Sequence, residues 1–154
     1  MFKSIITAAI VAAISVFSTA WYANAADAPT TKRPSPANQL KKHKVIFQVS
    51  DNDPAKWNLA LNNARNVQQD LGVGNVEIEI VAYGPGIGML KMDSTVGNRV
   101  GEAMSSGVKV VACENTMTNL KLAREDMLAS IGYVKAGVVE LMQKQQQGWS
   151  YIRP

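Results

Sequence analysis

Residues 108–118 read VKVVACENTMT, and no other stretch restricts the possible folds of this chain as much. Val108, Val110 and Val111 form an apolar, β-branched run of the kind seen in a strand buried on both faces of a sheet, and the run stops at a change to polar residues. Cys113, the only cysteine, stands at that change. It is therefore predicted at the carboxyl end of a central strand, where open α/β sheets gather their ligands and chemistry.

The sequence on either side alternates strands with helices. Residues 43–49 (HKVIFQV) have the length and composition of a first strand. Asp53 and Pro54 then read as N-cap and first residue of a helix. Trp57, Leu61, Ala64, Val67 and Leu71 fall on one face of that helix, and Gly72 closes it. Residues 76–82 (VEIEIVA) alternate apolar and acidic before turning apolar, which predicts a strand with one wet face, near a sheet edge. Residues 94–106 make a second helix with Val96, Val100, Ala103 and Met104 inward, ended by Gly107. After Cys113, Thr116 or Thr118 can cap a shorter helix running through Leu120 and Leu122.

A brief strand over 131–134, a helix over 136–147 with Val138, Leu141 and Met142 inward, and a strand over 149–152 complete the order. The pattern βαβαβαβαβ with short connections predicts an α/β three-layer sandwich with a mostly parallel five-stranded sheet, flavodoxin/Rossmann-like. Right-handed crossovers place every strand-to-helix loop on one edge of such a sheet. Cys113, the Asp51-Asn52 turn, and Gly84 and Gly86 of the loop YGPGIG should then face a shared crevice, with Glu114 and Asn115 at its mouth.

The amino-terminal residues follow different rules. Lys3 precedes an uncharged apolar run over 5–17, shorter than the ~20 residues of a membrane span. Ala23-Asn24-Ala25 follows as a small-x-small site. Residues 1–25 therefore read as a signal peptide cut after Ala25, with an uncleaved anchor helix as the other possibility, and predict a periplasmic protein with no membrane attachment once cut. Residues 26–41 form a Pro-rich basic linker, and the folded domain is expected over 42–154. The net charge of +4 is concentrated here: Lys32, Arg33, Lys41, Lys42 and Lys44 face a single acid, Asp27. No aromatic residues are interleaved with these charges, so a solvated leader is favoured over a nucleic-acid site.

What chemistry remains depends on Cys113. One cysteine makes no internal disulfide and no Cys-x-x-Cys pair, leaving a buried small hydrophobe, a pairing between chains, or a reactive thiol. A helix amino terminus lowers a thiol pKa, whereas the neighbouring Glu114 carboxylate opposes it. His43 is the only histidine and lies at the far end of the first strand, which argues against a Cys-His hydrolase or transferase and against a metal site. Gly84, Gly86 and Gly88 match neither a dinucleotide fingerprint nor a P-loop, so no cofactor is predicted. A single thiol acting alone can still carry sulfur as a persulfide.

The strand VKVVAC, the opening HKVIFQVSDND, the stretch VEIEIVAYGPGIG and the ending SIGYVKAGVVELMQKQQQGWSYIRP together resemble the DsrE/DsrF-like family over about residues 42–154. The resemblance implies a small α/β sandwich that forms homo- or hetero-oligomers, often trimers or hexamers. It also implies sulfur transfer rather than hydrolysis, with sulfane sulfur passed along a relay of cysteines from donor to acceptor proteins. Cys113 matches the sulfur-carrying cysteine. Two features depart from the relay proteins: the export signal, and Glu114-Asn115-Thr116 where those proteins have an alanine- and arginine-rich helix start. Two readings follow, an exported sulfur carrier or thiol-redox protein, and a non-catalytic oligomeric ligand-binding or accessory protein with an inert Cys113.

Overall fold

The structure, a computed structural model, describes residues 42–154, so the signal peptide and linker expected over 1–25 and 26–41 lie outside the described residues. Five strands, β1 (His43–Val49), β2 (Val76–Ala82), β3 (Lys109–Cys113), β4 (Gly132–Val134) and β5 (Ser150–Ile152), form one sheet in the order β4-β3-β2-β1-β5. Every pairing is parallel. The helices are α1 (Pro54–Leu71), α2 (Gly97–Ser105), α3 (Glu114–Leu120) and α4 (Gly137–Gln146), joined in part by short 3-10 segments.

The strand order explains the layers. From β1 to β4 each crossover steps to the next strand in one direction, and α4 then returns the chain past all of them to β5 beside β1. Right-handed crossovers therefore put α1, α2 and α3 on one face and α4 alone on the other. Side chains sort accordingly, because successive residues of a strand point to opposite faces. Phe47, Ile80 and Val110 join Trp57, Leu61, Val100 and Met117 in the larger core. Ile46, Val81 and Val111 join Leu141 in a smaller one, flanked by Tyr83, Val134 and Trp149.

Helix α1 has the ends its sequence predicts: the Ala55 amide donates to Asp53 Oδ1 at 2.8 Å, and Gly72 takes φ 85°. Gly101, inside α2, has open space where a side chain would start. Gly101→Ala should therefore raise stability by about 0.5–1 kcal/mol, because alanine lowers the entropy cost of the helix without meeting anything. An increase in the urea midpoint at constant slope is the expected reading.

Three local expectations are corrected. Strand β2 is the middle strand of the sheet, not near an edge. Its acidic Glu79 is fully buried, and it is tolerated there because Lys109 Nζ and Lys144 Nζ stand 3.1 and 3.0 Å from Oε2. Helix α4 turns Leu141 inward but leaves Val138 and Met142 61% and 50% exposed. Gly137, Leu141 and Lys144 occupy its sheet-facing stripe, at spacings of one helical turn, since Lys144 has to reach Glu79. Helix α3 begins at Glu114 directly after β3, with Cys113 itself as N-cap, so Thr116 and Thr118 lie inside it rather than capping it. It ends at Leu120, where Lys121 adopts the left-handed conformation, and Leu122 falls outside.

Candidate functional site: the Cys113 thiol between two helix starts

Cys113 is at once the last residue of β3 and the N-cap of α3. Its side chain follows Val111 onto the α4 face of the sheet, while the chain turns into α3 with no intervening loop. Two helix starts therefore meet at the sulfur. Gly137, the first residue of α4, donates its amide to Sγ at 3.2 Å. Helix α3 starts at the next residue, but no amide of its first turn closes a hydrogen bond to Sγ. The Lys135 carbonyl lies 4.0 Å from Sγ and also accepts from the Asn115 amide at 3.1 Å.

These donors outweigh burial. Desolvation pushes the thiol pKa up, but the Thr116 hydroxyl and the amides of Gly137, Thr116 and Asn115 together bring it below its ordinary value. The side chain is only 4% exposed. Lys135, whose carbonyl lies beside it, is exposed. The Glu114 carboxylate pairs with Arg124 at 2.9 Å, and the Arg124 guanidinium lies 4.2 Å over the Tyr133 ring.

The glycine loop works differently from the expected mouth of a ligand pocket. Gly84, at φ 53°, donates its amide to Thr116 Oγ1 at 2.9 Å, which ties the loop after β2 to α3 beside the thiol. Gly86 presses against the end of β1: a Cβ there would come 2.4 Å from the Val49 carbonyl oxygen. Tyr83 packs on Gly137, where a Cβ would fall 2.9 Å from Tyr83 Cβ, so α4 approaches this closely only with glycine at its start. Burial, with a smaller contribution from Tyr151, raises the Tyr83 phenol pKa.

The Asp51-Asn52 turn divides between two sides. Asp51 pairs with Lys56 at 3.0 Å and Arg153 at 3.3 Å, and the Lys56 contact leads in lowering its carboxyl pKa. Asn52 instead lines a crevice of about 430 Å³ with Trp57, Pro85, Ile87, Gly88 and Lys91. Cys113 is not among the residues lining that crevice, so thiol and crevice are separate features of the same sheet edge. The sequence reading thus named Cys113, Gly84 and Asn115, which the fold brings together, and missed Thr116, Gly137 and Tyr83. Thr116 carried a legible signal, Cys-x-x-Thr at a strand-to-helix junction. Gly137, 24 residues downstream, carried only its place in a strand-to-helix loop on the same edge as Cys113. His43 begins β1 at the opposite edge of the parallel sheet, away from the sulfur.

Comparison with known proteins fits this geometry. The DsrE/DsrF-like family model matches residues 43–154. The chain belongs to the DsrE/DsrF-like family. Among solved structures, this DsrE/DsrF-like chain is similar to the protein of unknown function MTH1491 from Methanobacterium thermoautotrophicum, with 34% identity and a TM-score of 0.70 over 73% of this chain and 100% of that one. It shares its fold with the conserved protein of unknown function BT1422 from Bacteroides thetaiotaomicron, at 18% identity and a TM-score of 0.60 over 72% of this chain and 94% of that one. No curated protein matches the sequence.

Proposed function

We propose that this DsrE/DsrF-like protein is an exported, periplasmic sulfur carrier that holds sulfane sulfur as a persulfide on Cys113 and works as a homo-oligomer, a trimer or hexamer. The observation that carries the reading is the Gly137 amide donated to Cys113 Sγ at 3.2 Å, with the thiol pKa held below its ordinary value. In loading, the Cys113 thiolate attacks the outer sulfur of a polysulfide or persulfide donor. The donor S–S bond breaks with its electron pair leaving on the donor, and the sulfur atom stays on Cys113. The step needs no histidine base, in keeping with the distance of His43.

Exposure of the native protein to inorganic polysulfide should add one sulfur atom to its mass, and Cys113→Ser should abolish that gain. Iodoacetamide should consume the native thiol, and a thiol that reacts only after unfolding would end the carrier reading. A second reading draws on the crevice beside Asn52, whose separation from the thiol suits a ligand-binding or accessory role with an inert cysteine. A small molecule co-purifying equally with wild type and Cys113→Ser would favour it.

A further inference from the structure

We infer that the cavity between α1 and α2 binds a small amino acid with an apolar side chain, its carboxylate taken by Arg99 and Arg65 and its ammonium by Glu102. The cavity measures about 390 Å³, within the range of small-molecule sites. It lies on the face of the sheet opposite α4 and Cys113, and it shares no lining residue with the Asn52 crevice. Ala64 of α1 and Ala103 of α2 are too small to fill it, and the buried side chains of Leu61 and Val108 make its wall apolar. Hydrogen bonds across the helices frame it. Arg99 donates to the side-chain oxygens of Asn58 and Asn62, the second at 2.6 Å. Further along both helices, Gln68 Nε2 donates to the Ser106 carbonyl at 2.7 Å, and the Ser106 hydroxyl donates to Gln68 Oε1 at 3.1 Å.

The charges in this frame select the ligand. Asn58 and Asn62 hold the Arg99 guanidinium through neutral amide oxygens, so its charge is oriented without being cancelled, and its other N–H donors stay free. Glu102 lies one helical turn further along α2, where an arginine and a glutamate ordinarily pair. The fork is drawn across to α1 instead. Among the described residues, Arg65, Arg99 and Glu102 have no ion-pair partner, although all three line the same cavity. Opposite charges one turn apart suit the head group of an amino acid, which carries a carboxylate and an ammonium on one carbon. The carboxylate takes the free donors of Arg99 and Arg65, the ammonium takes Glu102, and the side chain rests on Leu61, Ala64 and Val108. A phosphate would be repelled by Glu102, and a simple amine would leave both arginines without a partner.

The test is calorimetric titration of the full protein with L-leucine, isocaproate and isoamylamine, which share one apolar tail and carry both charges, the carboxylate alone and the ammonium alone. Leucine should bind with a Kd of about 1 mM or tighter. Each analogue should bind about ten-fold more weakly, the factor expected for losing hydrogen bonds to one charged group. Glu102→Gln should weaken leucine about ten-fold and leave isocaproate unchanged, a split between two ligands that a general loosening of the groove does not give. Glu102 is exposed and unpaired among the described residues, so this variant is expected to fold as the wild type does. Arg99→Met should weaken leucine and isocaproate together, and Arg65→Gln replaces it if that variant does not fold. Cys113→Ser should bind leucine as the wild type does, which keeps this result separate from the outcome of the polysulfide experiment. Absence of leucine binding at millimolar concentration, equal affinity for leucine and both analogues, or an unchanged leucine affinity in Glu102→Gln overturns the inference.

Discussion

Lys144→Met is expected to lower the stability of the folded domain by about 3 kcal/mol at pH 7, because it removes one cation from a buried carboxylate. Glu79 is fully buried on the middle strand, and Lys144 stands 3.0 Å from its Oε2 with a side chain only 17% exposed. Lys109 also reaches that oxygen, at 3.1 Å, but its side chain is 55% exposed and its attraction is correspondingly screened. The expected loss is therefore placed at the lower end of the range for breaking a buried pair. Glu79→Gln combined with Lys144→Met should recover most of it, since the double variant leaves no buried charge without a partner. Urea unfolding of the two single variants and the double one completes the cycle.

Acid changes the outcome in a direction set by Glu140. Burial, reinforced by the neighbouring Glu79, raises its pKa above the ordinary value of 4.5, and Lys144 acts against that rise. A carboxyl whose pKa is raised on folding contributes stability that is present below 4.5 and is lost as the pH climbs through the folded value. Removing Lys144 widens that window upward. The deficit of Lys144→Met should accordingly be largest near neutral pH and shrink as the pH falls toward 4.5. An equal deficit at both pH values would show that the lysine contributes through its packed stem rather than its charge.

Gly86→Ala is expected to cost about 3 kcal/mol or more and to disturb the thiol from a distance. The added Cβ would lie 2.4 Å from the Val49 oxygen, 2.6 Å from its carbonyl carbon and 2.8 Å from Ser50 Cα. All three atoms are backbone, and β1 is held by parallel ladders to β2 on one side and β5 on the other. No flexible side chain is present to yield, so the loop after β2 has to move. Moving it carries the Gly84 amide off Thr116. The variant should therefore show both a lower urea midpoint and an altered rate of Cys113 alkylation in the native protein. Gly101→Ala, with nothing within 4 Å of the new atom, is the matched control.

How far the sequence could be read varied from element to element for physical reasons. Helix α1 was legible because its signals are local: an N-cap aspartate, a proline that needs no amide partner, one apolar stripe and a terminal glycine. Strand β3 was legible because continuous β-branched composition fits only a strand covered on both faces. Strand β2 was placed at the wrong position in the sheet because Glu79 looks solvated until the lysines of β3 and α4 are folded around it. Val138 and Met142 look inward by hydrophobicity, yet the rotation of α4 is set by the Lys144–Glu79 pair and the approach of Gly137 to Tyr83.

The order of elements, the parallel sheet, the family and the location of Cys113 at the end of a strand could all be read without coordinates. The family followed from the resemblance of whole stretches of sequence, whereas the order of elements, the parallel sheet and the place of Cys113 follow from local periodicity, cap chemistry and composition, which act over a few residues and survive without knowledge of the rest of the chain. What surrounds the sulfur emerges with the folded chain. The Gly137 amide donates to it, Glu114 turns to Arg124, and the Asn52 crevice stays apart from it. Those relations join residues far apart in sequence whose side chains meet only once strand order and helix rotation are fixed, and a thiol's reactivity is set by the groups within a few ångströms of it in space.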